Sequence, residues 1–372
     1  MTTLADVRAA LDDLFPPRLA EPWDAVGLVC GDPDQPVRRV LLAVDPTVEV
    51  AREVVDGGFD LLVTHHPLFL GGTTTVAADD PRGRVVHTLL GAGAGLFVAH
   101  TNADRARGGV NDGLADLFGL KDTEPLERVP EQVDKLIVFV PVDHAEKVRA
   151  ALGEAGAGRI GAYDCCSWST EGEGAFRPLP GANPAVGEVG SLERVAEVRI
   201  ETVMPRALRA QVLAAMRGAH PYETPAYDVV PVADLPGDTG LGRVGELPEP
   251  LTLRELTERA AGLLPATAWG VRAAGDPDAV VSRLAVCGGA GDSTAGAAAR
   301  MGAQALLTSD LKHHRALERP PGLALLDAAH WATEWPWLVP LAETLTRVVG
   351  VEAVVSTLRT DPWTTAARSP EA

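Results

Sequence analysis

The stretch Phe59-Asp-Leu-Leu-Val-Thr-His-His-Pro-Leu-Phe69 decides how this chain is read. Its apolar run ends in turn chemistry at Pro67, which predicts a buried strand of an α/β sheet. Ligands of such sheets bind beyond the carboxyl ends of the strands, and His65 and His66 stand there. Side chains alternate along a strand, so neighbours at its tip can point to either side of one point in space. Neutral imidazole is the commonest metal-ligating side chain. The pair therefore reads as one metal per histidine, provided that carboxylates and further histidines reach the same edge.

Two other runs supply them. Gly95-Leu-Phe-Val-Ala-His-Thr-Asn-Ala-Asp104 is apolar and ends in His100 and Asp104, and Leu323-Ala-Leu-Leu-Asp-Ala-Ala-His-Trp-Ala-Thr-Glu334 passes from a strand into a helix start. His330 and Glu334 are four residues apart, so on a helix they share one face with Cβ atoms roughly 5–6 Å apart. A lone histidine pair is weak evidence, better explained by solvated or core-satisfied imidazoles. The same ligand types after three separate apolar runs point to metal.

At 372 residues the chain has material for two domains or one large one. Its 46% hydrophobic and 23% charged composition is that of a soluble globular protein. The N-terminus lacks the basic region and apolar stretch of a signal peptide, and Leu4, Val7, Leu11 and Leu14 follow helical spacing instead. No apolar run reaches the length of a membrane span, so the cytoplasm is the expected compartment. The cysteines Cys30, Cys165, Cys166 and Cys287 have no CxxC spacing. The adjacent pair suits small residues packed in a strand of a reduced protein better than a redox or metal pair. A net charge of −18 repels phosphate backbones and argues against nucleic acid, which would need a local basic patch. Arg82–Arg84 and Arg105–Arg107 are too short for one. Arg105 and Arg107 follow Asp104 closely, so they either lie in a solvated loop or face an anionic substrate.

To about residue 128 the pattern alternates: a strand over Val37–Asp45, a helix over Val48–Asp56, a strand over Asp60–Thr64, a helix through Val85–Leu90 and a strand at Leu96–Ala99. That is a sheet with helices on its faces. The alternation resumes after about residue 250 with a helix over Leu251–Leu264, a strand from Arg283 into a glycine-rich turn ending at Gly291, and a strand over Ala305–Asp310. Cys287-Gly-Gly-Ala-Gly-Asp-Ser-Thr294 suits either a phosphate cradle at a helix N-terminus or a tight turn; no Gly-Lys-Ser/Thr follows, so it is not a Walker sequence. Asp310 with His313 and His314 resembles a further ligand cluster, ranked below His330 and Glu334. Residues 130–235 follow their own logic. Lys135–Pro141 is a strand, Asp143–Leu152 a helix with Asp143 as N-cap, Val195–Val203 a strand, Arg206–Met216 a helix and Thr224–Val232 extended. Gly156–Gly190, rich in glycine, proline and aromatics, suits strand edges and turns. Duplicated strand–helix units predict a ferredoxin-like βαββαβ module. The ligand clusters lie on either side of it, so it is expected to be an insertion.

Over nearly its whole length the chain resembles the dinuclear-metal hexameric proteins known as type 2 GTP cyclohydrolase homologues, the NIF-three-like family. The matching stretches are Glu21-Pro-Trp-Asp-Ala-Val-Gly-Leu28, Thr64-His-His-Pro-Leu68, His100-Thr-Asn-Ala-Asp104 with Gly108-Gly-Val-Asn111, and His330 with Glu334. Gly158-Arg-Ile-Gly-Ala-Tyr-Asp-Cys-Cys-Ser167, Gly174-Ala-Phe-Arg-Pro178 and Ala219-His-Pro-Tyr-Glu-Thr-Pro-Ala-Tyr-Asp228 are similar to the family's longer bacterial form. The resemblance implies His65, His66, Asp104, His330 and Glu334 as ligands of two divalent ions, with Glu334 bridging both. His100 then lies beside the site as a ligand or proton-transfer group. Ala25 stands where the family usually has Asn, a departure that leaves the ligands intact. The implied fold is a three-layer α/β (α+β) metal-binding domain in two parts, 1–129 and 236–372, interrupted by the insertion at 130–235. The implied assembly is a toroidal homohexamer whose metal sites face an internal cavity, capped by insertions similar to PII-like or copper-tolerance-like trimeric modules.

Nitrogen and oxygen donors without thiolate suit Zn, Fe, Mn, Ni or Co. Two ions about 3.5–4 Å apart serve a hydrolysis, so a hydrolase that opens a purine-like ring or cleaves a phosphoester, with a nucleotide as partner, is the expected function. The alternative is a non-enzymatic metal-holding scaffold or metallochaperone with the inserted module as sensor. Open coordination positions favour the first and saturated ones the second.

Overall fold

Leu61–Thr64 forms the middle strand of a five-stranded sheet. A computed structural model describes residues 1–367. They fold as two units, one of Met1–Val129 together with the chain from Asp238 onward, the other of Pro130–Gly237.

In the first unit the five-stranded sheet runs in the order Gly27–Cys30, Gly95–Val98, Leu61–Thr64, Arg39–Ala43, Glu352–Val355. Only Gly27–Cys30 is antiparallel to its neighbour. A six-stranded sheet runs Val271–Ala274, Ala324–Ala328, Ala305–Ser309, Val280–Val286, Arg243–Thr252, Lys121–Glu124, with its second to fourth strands parallel. Period-two alternation sorts the side chains of both. Val40, Leu42, Leu61, Val63 and Phe97 of one sheet share a core with Leu284, Val286, Leu307 and Leu326 of the other. The helices Leu4–Leu14, Val110–Leu117, Leu253–Leu263 and Leu338–Val349 pack into that core. Leu41, Leu62 and Leu96 point the other way, onto the helices Val48–Gly57 and Pro81–Gly91. Each fully buried Leu or Val contributes about 1.5–3 kcal/mol, and strands buried on both faces are what continuous apolar runs predict.

Local signals set the helix ends. Thr47 Oγ1 accepts from Val50 N at 3.2 Å to start Val48–Gly57, and Gly58 at φ 64° ends it in the left-handed cap that glycine adopts without strain. Thr252 and Glu255 form a capping box ahead of Leu253–Leu263. Among the described residues no helix is long and apolar enough to cross a membrane.

The second unit runs strand Val133–Pro141, helix Ala145–Glu154, strands Ser167–Phe176 and Glu193–Pro205, helix Arg209–Ala219, strand Tyr227–Pro231. In its antiparallel sheet the order is fourth, first, third, second. Leu136, Val138, Ile200 and Met204 face Val148, Leu152, Val212 and Met216 of the helices. Two expectations fail here. Asp143 is no N-cap: it sits in a 3₁₀ turn, Val142–His144, that leads into the helix without a side-chain cap. Cys165 and Cys166 are not packed in a strand. They precede Ser167–Phe176 as free thiols, and Cys165 is exposed at φ 53°. The tight loop back to the buried Gly158, whose carbonyl accepts from Cys166 N at 2.9 Å, takes the place of strand pairing.

Candidate metal centre

Parallel strands of both sheets end at one place. His65 and His66 follow Leu61–Thr64, and His100 and Asp104 follow Gly95–Val98; His330 and Glu334 bound the short helix after Ala324–Ala328. The two adjacent histidines do not diverge. His65 Nε2 lies 3.4 Å from Glu334 Oε1 and His66 Nε2 lies 3.2 Å from Glu334 Oε2, so one carboxylate faces both rings. His330 Nε2 reaches Glu334 Oε1 at 2.9 Å, as the four-residue spacing predicts, and Asp104 Oδ1 stands 3.7 Å from His65 Nε2. His65, His66 and His100 form one group whose donor atoms lie within 4.8 Å of one another, and His66, His330 and Glu334 form a second. His100 thus joins a cluster directly, whereas Asp104 meets His65 from the side.

The ring orientations share a cause. His65 Nδ1 bonds Ala99 O at 2.9 Å, His66 Nδ1 bonds Asp45 Oδ1 at 2.7 Å, His100 Nδ1 bonds Asp24 Oδ1 at 2.8 Å, and His330 Nδ1 bonds Asp310 Oδ2 at 2.7 Å. Carbonyl and carboxylate oxygens only accept, so each Nδ1 carries a hydrogen, and in the neutral ring each Nε2 turns its lone pair to the cluster. Carboxylate–histidine pairs of this kind orient metal-ligating imidazoles. Asp310 adopts φ 57°, a left-handed conformation that Asp tolerates better than most residues, to reach His330.

Asp104 Oδ1 and Glu334 Oε2 are buried with no hydrogen-bond partner among the described residues. Ligands about 2.1 Å from a common ion at tetrahedral or octahedral angles are about 3.0–3.4 Å apart, close to the separations here. The donor set therefore fits a divalent ion. Without one the cluster draws protons. Burial pushes the His66 and His330 pKa values down, but Glu334, joined by Asp45 at His66 and by Asp310 at His330, more than reverses this and raises them to about 11 and about 9. Burial raises the Glu334 carboxyl, and the surrounding imidazoles more than reverse this, holding it well below its usual range. Asp104 moves the other way, pushed up by burial and by Glu334 despite His65. Asp24 stays low, because hydrogen bonds from His100 and Thr101 overcome its burial.

Asp24 and Asp45, which orient His100 and His66, escaped the sequence reading. Asp24 lies within Glu21–Leu28 and Asp45 closes Val37–Asp45, but neither stretch contains a histidine to mark it. Arg105 and Arg107 do not face the site: Arg105 bonds Leu19 O at 3.1 Å and pairs with Glu21, and Arg107 lies 3.5 Å from Asp112. His313 and His314 are exposed on a separate helix, ring against ring, and join neither cluster. The glycine-rich turn is not a free phosphate cradle. Gly288 N donates to Asn111 Oδ1, Gly289 N to Thr333 Oγ1 and Gly291 N to Thr308 Oγ1, at 2.8–2.9 Å. Its role is to pack against the centre: at Gly289, φ 64°, a Cβ would lie 2.5 Å from Glu334 Oε1 and 3.2 Å from His330 Nε2.

The profile of the Duf34/NIF3 (NGG1p interacting factor 3) family matches residues 2–362. The chain belongs to the Duf34/NIF3 family. It is 52% identical over 366 residues to a Mycobacterium tuberculosis protein named GTP cyclohydrolase 1 type 2 homolog, covering 97% of this chain and 96% of that one. A Bacillus subtilis protein of the same name is 39% identical over 364 residues, covering 95% and 96%. Among solved structures, a Bacillus cereus protein related to NIF3 superposes with TM-score 0.85 at 38% identity, covering 98% of this chain and 99% of that one. Staphylococcus aureus protein SA1388 superposes with TM-score 0.80 at 28% identity over the same shares. These Duf34/NIF3 neighbours carry the same mixed α/β fold over their full length.

Proposed function

We propose that the first unit is a dinuclear metal-dependent hydrolase acting on a nucleotide or phosphoester, with His65, His66, Asp104, His330 and Glu334 as ligands and Glu334 shared between two divalent ions. The observation that carries this is the convergence of imidazole Nε2 atoms, each ring fixed through Nδ1, on the carboxylates of Glu334 and Asp104, which among the described residues each keep one buried oxygen without a donor. Five nitrogen and oxygen donors exceed what one tetrahedral ion uses and suit Zn, Fe, Mn, Ni or Co. When bound, such ions supply Lewis acidity and lower the pKa of water. The rest falls to the chain. Glu334, ionised among the imidazoles, holds the negative charge that balances the cations. His100, with Nδ1–H on Asp24, offers Nε2 to take a proton from the attacking water, and Asp24 stabilises the imidazolium that results. The same Nε2 returns the proton to the leaving group, a role that typically contributes about 10²–10⁴-fold. The names of the relatives support a nucleotide as substrate.

The test is a screen of the metal-loaded protein against nucleotides and phosphoesters, with metal content measured alongside. Glu334→Gln is expected to lose both ion occupancy and turnover, while His100→Ala keeps most of the metal and loses turnover about 10²-fold or more. Turnover unchanged in both variants would remove this site as catalyst. No turnover at full loading across the screen favours the metal-holding scaffold instead. The family resemblance also supports a homohexamer, and a monomer by light scattering at micromolar concentration refutes it.

A further inference from the structure

Beside His66 and His330 a cleft of about 360 Å³ opens between the ends of the six-stranded sheet and the segment after Glu352–Val355. Small-molecule sites span about 300–1,000 Å³. Trp269 and Trp363 line one wall with ring centroids 6.3 Å apart, and both are exposed, at 40% and 60%. The Arg272 guanidinium stacks 4.6 Å from the Trp269 centroid and bonds Asp327 at 2.8 Å, and Trp331 is buried, so Trp363 offers the exposed aromatic surface of the cleft.

Carboxylates dominate the polar lining, and three of them are engaged. Asp45 bonds His66 and Thr360, Asp310 bonds His330, and Asp327 accepts from Arg272 and from Leu311 N. The fourth, Asp361, is only 7% exposed, and its Oδ2 is buried with no hydrogen-bond partner among the described residues. A buried acceptor left without a donor is costly. The missing donor is expected from outside the chain.

We propose that this cleft is the recognition subsite of the hydrolytic centre and takes a flat nitrogen heterocycle, whose N–H edge donates to Asp361 Oδ2 while its face stacks on Trp363. The proposal rests on reading the adjoining cluster as that centre. Charge selects the heterocycle over a phosphate at this position: Arg272, the guanidinium lining the cleft, is already paired with Asp327, and a phosphate would meet four carboxylates. Stacking tolerates any heterocycle, because each has a π-face. Asp361 supplies the discrimination: adjacent N–H donors suit its carboxylate, whereas an acceptor nitrogen beside the donor sets a lone pair against an acceptor-only group.

Guanosine has two adjacent N–H donors on its pairing edge; adenosine has an exocyclic amine beside an acceptor nitrogen. Both are titrated against the full-length protein, with and without added zinc, by tryptophan fluorescence and calorimetry. Guanosine is expected to bind in both states and adenosine about tenfold more weakly or less. Asp361→Asn, whose amide replaces an acceptor by a donor, should weaken guanosine about tenfold. Trp363→Ala should weaken both nucleosides, and neither variant should change metal content. Guanosine that fails to bind the wild type, or binds a natively melting Asp361→Asn protein as tightly, overturns the proposal. Selective nucleoside binding with no turnover at full metal loading keeps the subsite and sinks the hydrolase. Phosphoester turnover that nucleosides neither join nor inhibit does the reverse.

Discussion

A histidine's two nitrogens divide the work at the centre: Nδ1 is anchored and Nε2 is presented. Asp45 anchors His66 at 2.7 Å, so Asp45→Ala should leave the fold intact and weaken metal binding about 10–100-fold, read by competition with a chromogenic chelator. Affinity equal to wild type would show that the ring is held by packing alone. His220, in the second unit, uses the same two atoms for stability. Its Nε2–H donates to Phe139 O at 2.9 Å and its Nδ1 accepts from Tyr222 N at 3.0 Å, an arrangement only the neutral ring can make. Burial lowers its pKa, and His144 adds to this, while Phe139 O and Glu197 pull the other way without reversing it. The unfolded chain therefore takes up this proton first, at about pH 6.5. The contribution is intact above that pH and is lost as pH falls through the lower, folded value. The melting temperature should drop less between pH 8 and pH 5 in His220→Gln than in the wild type, and parallel profiles would refute this.

Elements bring these residues together because strand ends are where loops are free to carry polar side chains while the strands themselves stay apolar. The turn after Val280–Val286 shows how tightly the surroundings are drawn. Gly289→Ala combines a left-handed φ with a Cβ 2.5 Å from Glu334 Oε1, whereas Gly302→Ala, at φ 78°, meets nothing within 4 Å. Both should lose roughly 1–2 kcal/mol from backbone strain. Only Gly289→Ala should also lose bound metal, measured by elemental analysis. Equal metal content in the two variants would mean that the turn does not support Glu334. Arg243 is a second close fit: fully buried, it is paired with Asp112 and bonded to the carbonyls of Gly240, Gly242 and Ala106, so no donor direction is left to solvent alone.

For the whole molecule, the clustered histidines and carboxylates all belong to the first unit, which the chain leaves and re-enters at adjacent points. Leu126 N donates to Leu241 O at 3.1 Å across that gap. Excising residues 130–237 and bridging the ends is expected to preserve folding and metal content. The cost of closing so short a gap is small, since loop entropy grows slowly with length. A truncated protein that binds no metal, with circular dichroism of an unfolded chain, would show that the first unit depends on the second.

Apolar runs closed by turn residues were enough to locate Leu61–Thr64, Gly95–Val98, Ala305–Ser309 and Ala324–Ala328, because a strand buried on both faces writes its burial directly into composition. The same logic put His65, His66, His100 and His330 at strand ends, and the four-residue spacing paired His330 with Glu334. Chain order carries no comparable mark for contacts between distant segments. Asp24 meets His100 across 76 positions and Asp45 meets His66 across 21, each through one hydrogen bond that leaves no periodic trace. The place of Arg105 beside Asp104 leaves open a solvated loop or a substrate-facing role, and only its bonds to Leu19 O and Glu21 decide against the second. The sequence by itself determined which residue types stand at the ends of which strands, since that follows from hydrophobic patterning along the chain. Tertiary structure alone decided which nitrogen of each histidine faces the centre, because that depends on where an acceptor from another strand comes to lie.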